Sequence, residues 1–285
     1  MSFQIDIASR IEAMKTLDRS VRKVRDVAGK VLPAEGPVKD LLSGTLLGHP
    51  LHPVLTDVVL GAWFSAALLD TVGGERSRQA ATRLVGIGIA AAIPTAVAGA
   101  SDWVDTLDPR ARRVGLVHAA SNATGLSLWT LSYLARKRRR YGAGLVLGML
   151  AGACSALAGL LGGHLTFRRG VGVDETAFDR VPRRWTVVLP ERDLPERKLV
   201  GATANGVGIL LYREGVRIFA LADRCSHRGC DIHDGEVHDG AVTCPCHGST
   251  FRLEDGSIVR GPATAPQPSY ETRVEQGSIE VRPKA

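Results

Sequence analysis

Two short stretches of the chain hold residue types that bind metals. Residues 225–230 read CSHRGC and residues 244–249 read CPCHGS. Each sets a thiol close to an imidazole, Cys225 with His227 and Cys244 with His247. On a tight loop, that spacing lets both side chains turn toward one centre. Thiolate with imidazole suits a tetrahedral zinc ion or an iron–sulfur cluster with mixed ligands. Each stretch also carries a further cysteine, Cys230 and Cys246, which a four-ligand zinc site does not need.

The order C-x-H followed by C-x-x-H resembles the Rieske family of [2Fe–2S] proteins. The resemblance implies that Cys225 and Cys244 hold one iron, and His227 and His247 the other. The boxes are similar to those of the subclass found in cytochrome bc complexes. That likeness implies a Cys230–Cys246 disulfide clamping the two loops. It also implies a Ser249 hydroxyl donating to a cluster sulfide, which raises the reduction potential. Phe251 stands where that subclass has tyrosine, so the ring is kept and a donor is lost. Arg228 replaces leucine and looks more like the Rieske ferredoxins and oxygenases. Both departures imply a potential below that of a bc-type cluster. Gly261-Pro262-Ala263 resembles the family's proline loop over the cluster. The likeness covers roughly residues 185–283 and implies an antiparallel all-β domain.

The rest of the chain must position these loops. At 285 residues the length suits about two domains. Charged residues make up 23% and hydrophobic ones 45%, but they divide unevenly. Uncharged stretches fill the first half and an ordinary polar segment the second. The net charge of +7 comes from arginine runs flanking the apolar stretches, which points to a membrane surface. With 5% aromatic residues and no recognition motif, nucleic acid is not an expected partner. Cys154 lies alone in an apolar run and reads as a packing residue. The N-terminus lacks the early apolar core of a cleavable signal.

Residues 5–32 repeat Ile11, Met14, Leu17, Val21, Val24, Ala28 and Val31 at steps of three and four, an amphipathic helix that either lies on a membrane or packs on the protein. Apolar stretches follow at 54–72, 84–100, 114–135 and 142–167, each near the length that crosses a bilayer. These predict a four-span all-α bundle, rich in the small residues that suit close packing in lipid. The bundle resembles an uncharacterised family of four-helix bacterial membrane proteins. The marks are GHPLHP at 48–53, Ser101-Asp102-Trp103, His118 and GGHLTFRRGVGV at 162–173. No internal repeat is evident. Beyond the connector the pattern turns β: Thr186–Leu189, Val207–Tyr212 and Val216–Leu221 read as strands. Glu214-Gly215, Asp255-Gly256 and Gln276-Gly277 read as turns. The expected organisation is an N-terminal helix at 1–39, a membrane domain at 40–175, a connector at 176–184 and the β domain at 185–285. The class is α+β multidomain.

Four spans return both ends of the bundle to one side. His49, His52, His118 and His164, with Asp57 and Asp102, then fall near one interface facing the cluster domain. Ionisable groups there are candidates for a second site, with haem, a metal or a quinone head as its options. Asp57 and Asp102 are the carboxylates placed to orient an imidazole. The basic run 136–140 lies on the opposite side and is expected in the cytoplasm of a bacterium, leaving the cluster domain outside the plasma membrane.

The function expected is one-electron transfer by a multi-pass membrane protein, from a membrane donor such as quinol to a protein acceptor. A second reading is the Rieske component of a multi-subunit oxygenase or quinol-oxidising enzyme. The chain ends at Ala285 with no room for a catalytic mononuclear-iron domain, so an oxygenase role would need another subunit. A third is a redox sensor or membrane scaffold.

Overall fold

The computed structural model describes residues 7–179 and 184–284; the first residues of the expected N-terminal helix and part of the connector, including Pro182 and Arg183, lie outside these. The chain divides into two compact units. One runs through Leu32 and resumes over Leu51–Val171, and the other comprises Pro33–Pro50 with Gly172 onward.

In the first unit the N-terminal amphipathic stretch is two helices, not one. Helix α1 (Ile7–Ala13) and helix α2 (Asp18–Val31) are separated at Met14 by a short 3-10 turn. Ion pairs hold them on the bundle. Arg113 donates to Asp18 at 2.6 and 3.0 Å and to the Glu12 carbonyl at 2.5 Å.

The bundle consists of α4 (Leu51–Val72), α5 (Arg78–Asp105), α6 (Pro109–Lys137) and α7 (Tyr141–Gly163). Asp108 caps α6, its carboxylate accepting the Arg110 N–H at 2.9 Å, with Pro109 preset in the first turn. Four spans were expected, but among the described residues three helical stretches are long and apolar enough to cross a membrane: Leu51–Val72, Glu75–Asp105 and Tyr141–Arg168. The remaining long helix, α6, falls short because Ser121, Asn122, Thr124, Ser127, Thr130 and Ser132 dilute its uncharged middle. Several of these hydroxyls donate back to the carbonyl four residues earlier, as in Thr124 to Ala120 at 2.9 Å, which satisfies them inside the helix. α4 packs mainly on α5 and α6 mainly on α7, so the bundle is two hairpins side by side.

The second unit is antiparallel β. One sheet has the order β1-β10-β9-β4-β3-β2. Its strands are β1 (Thr186–Pro190), β2 (Leu199–Ala204), β3 (Val207–Glu214), β4 (Arg217–Ala222), β9 (Ser269–Glu275) and β10 (Ser278–Pro283). The other sheet runs β5 (Glu236–His238), β6 (Ala241–Thr243), β7 (Thr250–Arg252) and β8 (Ile258–Arg260) in order. Strand β3 is apolar on both faces for a structural reason. Ile209 and Leu211 enter the core of the large sheet, whereas Leu210 and Tyr212 face Cys225, Cys244 and Phe251. Two-sided burial replaces the alternation of a half-exposed strand with a continuous run. Each fully buried leucine here contributes roughly 1.5–3 kcal/mol. Gly215, Gly256 and Gly277 all sit at positive φ, where a tight turn needs glycine.

Candidate metal centre

Two loops built alike carry the candidate ligands. The first joins β4 to β5 and the second joins β6 to β7. In the first, the Cys225 N–H donates to the Cys230 carbonyl and the Gly229 N–H to the Cys225 carbonyl, both at 2.8 Å. In the second, the Cys244 N–H donates to the Ser249 carbonyl at 2.8 Å and the Gly248 N–H to the Cys244 carbonyl at 3.1 Å. Gly229 and Gly248 take φ of 72° and 76°, so each loop closes through a left-handed glycine. The Cys230–Cys246 disulfide ties one loop to the other.

The loops bring two thiols and two imidazoles together. Cys225 and Cys244 are buried and unbridged. Their thiols hydrogen-bond to each other, which pushes Cys225 up and Cys244 down from the ordinary thiol range. The His227 and His247 rings stand nearly perpendicular with centroids 5.1 Å apart. Burial, then the charge of Arg228, holds His227 well below its ordinary value, which favours the neutral imidazole a metal requires. Two soft sulfurs on one side and two nitrogens on the other fit a [2Fe–2S] cluster with split ligation.

Neighbouring side chains hold the loops in place. Ser249 is fully buried and its hydroxyl accepts the Ala263 N–H at 3.0 Å, which leaves its own proton free to donate. Phe251 is fully buried in the core behind the thiols. The Gly261–Pro262 peptide is cis, and Ala263 next to it is fully buried. Sequence reasoning missed Gln267. Its buried amide accepts the Ser226 N–H at 3.0 Å and donates to the Ala222 carbonyl at 2.7 Å, while the Ser226 hydroxyl donates to the Ala265 carbonyl at 2.8 Å. A lone glutamine among prolines gives no periodic signal.

The short helix α3 (Pro37–Ser43) was also missed. It packs near the cluster loops inside the same unit. Glu35 pairs with Arg260 at 2.9 Å, and Asp40 accepts the Gly261 N–H. A Cβ at Gly261 would lie 2.2 Å from the Thr45 hydroxyl, so glycine is required there. Lys39 of the same helix is buried, with its charge close enough to act on His227. Farther along, Asp223 accepts the His233 backbone N–H at 2.8 Å and pairs with its Nδ1 at 2.6 Å. Burial pushes His233 down, but the Asp223 bond and the charges of Asp223, Asp234 and Asp231 leave it raised.

Residues 184–271 match the family described as the Rieske [2Fe–2S] domain. Residues 48–175 match the predicted membrane protein family DUF2231. The chain joins a DUF2231 membrane domain to a Rieske domain. A relative of the Rieske part is the "3-phenylpropionate/cinnamic acid dioxygenase ferredoxin subunit" of Escherichia coli (strain K12), 36% identical over 66 residues. That alignment covers 23% of this chain and 61% of the relative. The protein of the same description from Shigella flexneri matches to the same degree. Among solved structures, the ferredoxin of carbazole 1,9a-dioxygenase from Nocardioides aromaticivorans IC177 is 24% identical, with a TM-score of 0.33, covering 35% of this chain and 98% of its own.

The six membrane-half candidates separate. His52 and His118 come together, with ring centroids 6.3 Å apart at 78°. His164 does not join them; its Nε2 pairs with Glu12 at 2.6 Å, and Arg169 binds the same carboxylate at 2.6 Å. His49 falls in the other unit, with Nδ1 3.3 Å from the Pro50 carbonyl. Asp57 is exposed on α4, and Asp102 lies near the end of α5. Backbone carbonyls, rather than Asp57 or Asp102, orient the paired imidazoles.

Proposed function

We propose that this protein is a membrane-anchored one-electron carrier. It would take electrons from a donor in the bilayer, of which quinol is the expected class, and hand them to a protein acceptor. The observation that carries this is the convergence of Cys225, Cys244, His227 and His247 on two tied loops of a Rieske domain. When bound, a [2Fe–2S] cluster held by these four supplies a single-electron centre. The protein tunes and protects it. Cys225 and Cys244 hold one iron from within the core. The Ser249 proton is available to a sulfide, and the disulfide keeps both loops in register. The two imidazoles can couple proton gain to electron gain.

The apolar helices of the DUF2231 domain support the anchor. Arg136 is paired inside the bundle, so the free basic loop is 137–140. By the positive-inside rule that loop is cytoplasmic, and the opposite end of the bundle faces outward. The relatives named as dioxygenase ferredoxin subunits favour a second reading, in which the acceptor is an oxygenase on another polypeptide.

Cys225→Ser or His247→Ala in the full-length protein should each abolish a Rieske-type EPR signal. A normal signal in both variants, or stoichiometric zinc in place of iron, would remove the assignment.

A further inference from the structure

The two hairpins of the membrane bundle meet through like residues. His52 of α4 faces His118 of α6. Trp63 of α4 stacks on Trp129 of α6, with centroids 5.0 Å apart and planes at 18°. Asp70 of α4 forms a bidentate pair with Arg136 of α6 at 2.5 and 2.7 Å. All three pairs join positions 66 apart in sequence. Contact between equivalent positions is the mark of a two-fold relation. The α4–α5 and α6–α7 hairpins are therefore a repeat about an axis along the bundle. His52 and His118 are the ionisable pair near the end of the bundle where α4 and α6 begin.

The second helix of each hairpin serves its histidine in the same way. The Thr95 carbonyl of α5 lies 2.9 Å from His52 Nδ1, and the Ala158 carbonyl of α7 lies 2.8 Å from His118 Nδ1. A carbonyl can only accept, so each Nδ1 carries the proton and each Nε2 presents a lone pair. Four residues on, each second helix has a glycine against the ring. A Cβ at Gly99 would lie 2.7 Å from His52, and one at Gly162 would lie 3.1 Å from His118. Thus the backbone of both hairpins is cut away to seat an imidazole, and both imidazoles are fixed in one tautomer.

A ring tethered at Nδ1 to a carbonyl with Nε2 left over is prepared for a metal. We propose that His52 and His118 bind a transition-metal centre through their Nε2 atoms, one from each hairpin. The spacing agrees. An imidazole centroid lies about 3.1 Å from a metal bound at about 2.0 Å from its nitrogen, so two such rings on opposite sides of one metal have centroids about 6.2 Å apart, against about 5 Å for two rings at a tetrahedral angle. The observed separation is 6.3 Å. Two neutral imidazoles set opposite each other suit iron or copper rather than tetrahedral zinc. The metal is either a haem iron or a single ion, since both present the same bond to Nε2. Asn122 donates to His118 Nε2 at 3.1 Å. Its side chain is exposed, so it can swing aside on binding.

The test uses the full-length protein extracted from membranes in mild detergent. Haem is read from the Soret band and pyridine haemochrome, other metals by mass spectrometry, both per chain. The Rieske-type EPR signal is recorded on the same samples, so a failed cluster assignment is seen separately. The parent should hold one haem, or one metal ion beyond the cluster iron, per chain. His52→Asn and His118→Asn keep an N–H for the carbonyl but lack Nε2. Each should lose more than tenfold of that occupancy with its EPR signal and elution volume unchanged. His164→Ala, bound to Glu12 elsewhere, should keep it. A Soret band identifies haem and its absence with a stoichiometric metal identifies an ion; either supports the site. A parent with neither, or asparagine variants that retain the metal, overturns it.

Discussion

Replacing both Cys230 and Cys246 with serine removes the clamp between the cluster loops without leaving a lone thiol. The bond spans a sequence separation of 16. Closing a loop of that length in the unfolded chain costs about 3 kcal/mol of entropy, which the disulfide removes from folding. In urea, with a slope near 2 kcal/mol/M for a domain of this size, the unfolding midpoint should fall by about 1.5 M. The assay follows cluster circular dichroism and the Rieske-type EPR signal of the detergent-solubilised protein against urea, in parent and variant with equal cluster content. Both probes should shift together and the slope should stay the same. Cys230 is partly buried and Cys246 exposed, so the serines bring little desolvation cost of their own. A midpoint shift under about 0.3 M would refute the loop-closure reasoning, and a changed slope would mean that the variant alters the compactness of a state rather than the loop entropy.

Four further outcomes follow from particular contacts. Ser249→Ala orphans the Ala263 N–H in a buried site, so it should cost about 1–3 kcal/mol and lower the cluster potential in voltammetry; an unchanged potential removes Ser249 from tuning. Glu12 is held down to about 2, first by its bond to Arg169 and then by His164. Its contribution is present above the ordinary pKa of 4.5 and is lost as pH falls toward 2, so Glu12→Gln should flatten acid destabilisation of the helical unit across that window. His233 is raised by the acidic groups about it, so its contribution is complete below 6.5 and is lost as pH rises through the folded value. His233→Gln should remove that alkaline loss in pH-dependent urea midpoints. Asp70→Asn strands the Arg136 guanidinium, which is 2% exposed, and should cost about 3–5 kcal/mol, seen as a lower thermal midpoint in detergent.

What the sequence revealed and what it hid divide by the range of the interaction. The cluster boxes were legible because thiol and imidazole sit within one loop, where spacing alone decides whether two side chains can converge. The strands around β3 were legible as apolar runs. Gln267 and α3 were not, because each acts on a loop far from it in sequence; Gln267 reaches Ser226 from 41 positions away. Hydropathy located the helices and overcounted the spans, since uncharged is not the same as apolar: α6 lacks charge in its middle yet is full of hydroxyls. Position relative to a membrane grouped four histidines. Side-chain geometry then sent His164 to Glu12 and left only His52 and His118 together.

The same construction recurs in both units, which explains why the second candidate site was the harder one to see. In the Rieske domain, two copies of one loop geometry, each closed by the same pair of backbone bonds and a left-handed glycine, carry the candidate ligands and are tied by the disulfide. In the bundle, two copies of one helical hairpin face each other across an axis marked by His–His, Trp–Trp and Asp–Arg pairs. The loop repeat keeps its candidate ligands a few residues apart, so it shows as a motif. The helical repeat spreads its matched positions over whole turns, and it conserves geometry while changing chemistry, as in Asp70 against Arg136. A residue on a two-fold axis meets its own equivalent, so like charges there would repel and one copy must change sign or become neutral. The neutral imidazoles satisfy that condition at one end of the bundle and the ion pair satisfies it at the other. This leaves the histidine end as the place where two lone pairs can face a cation.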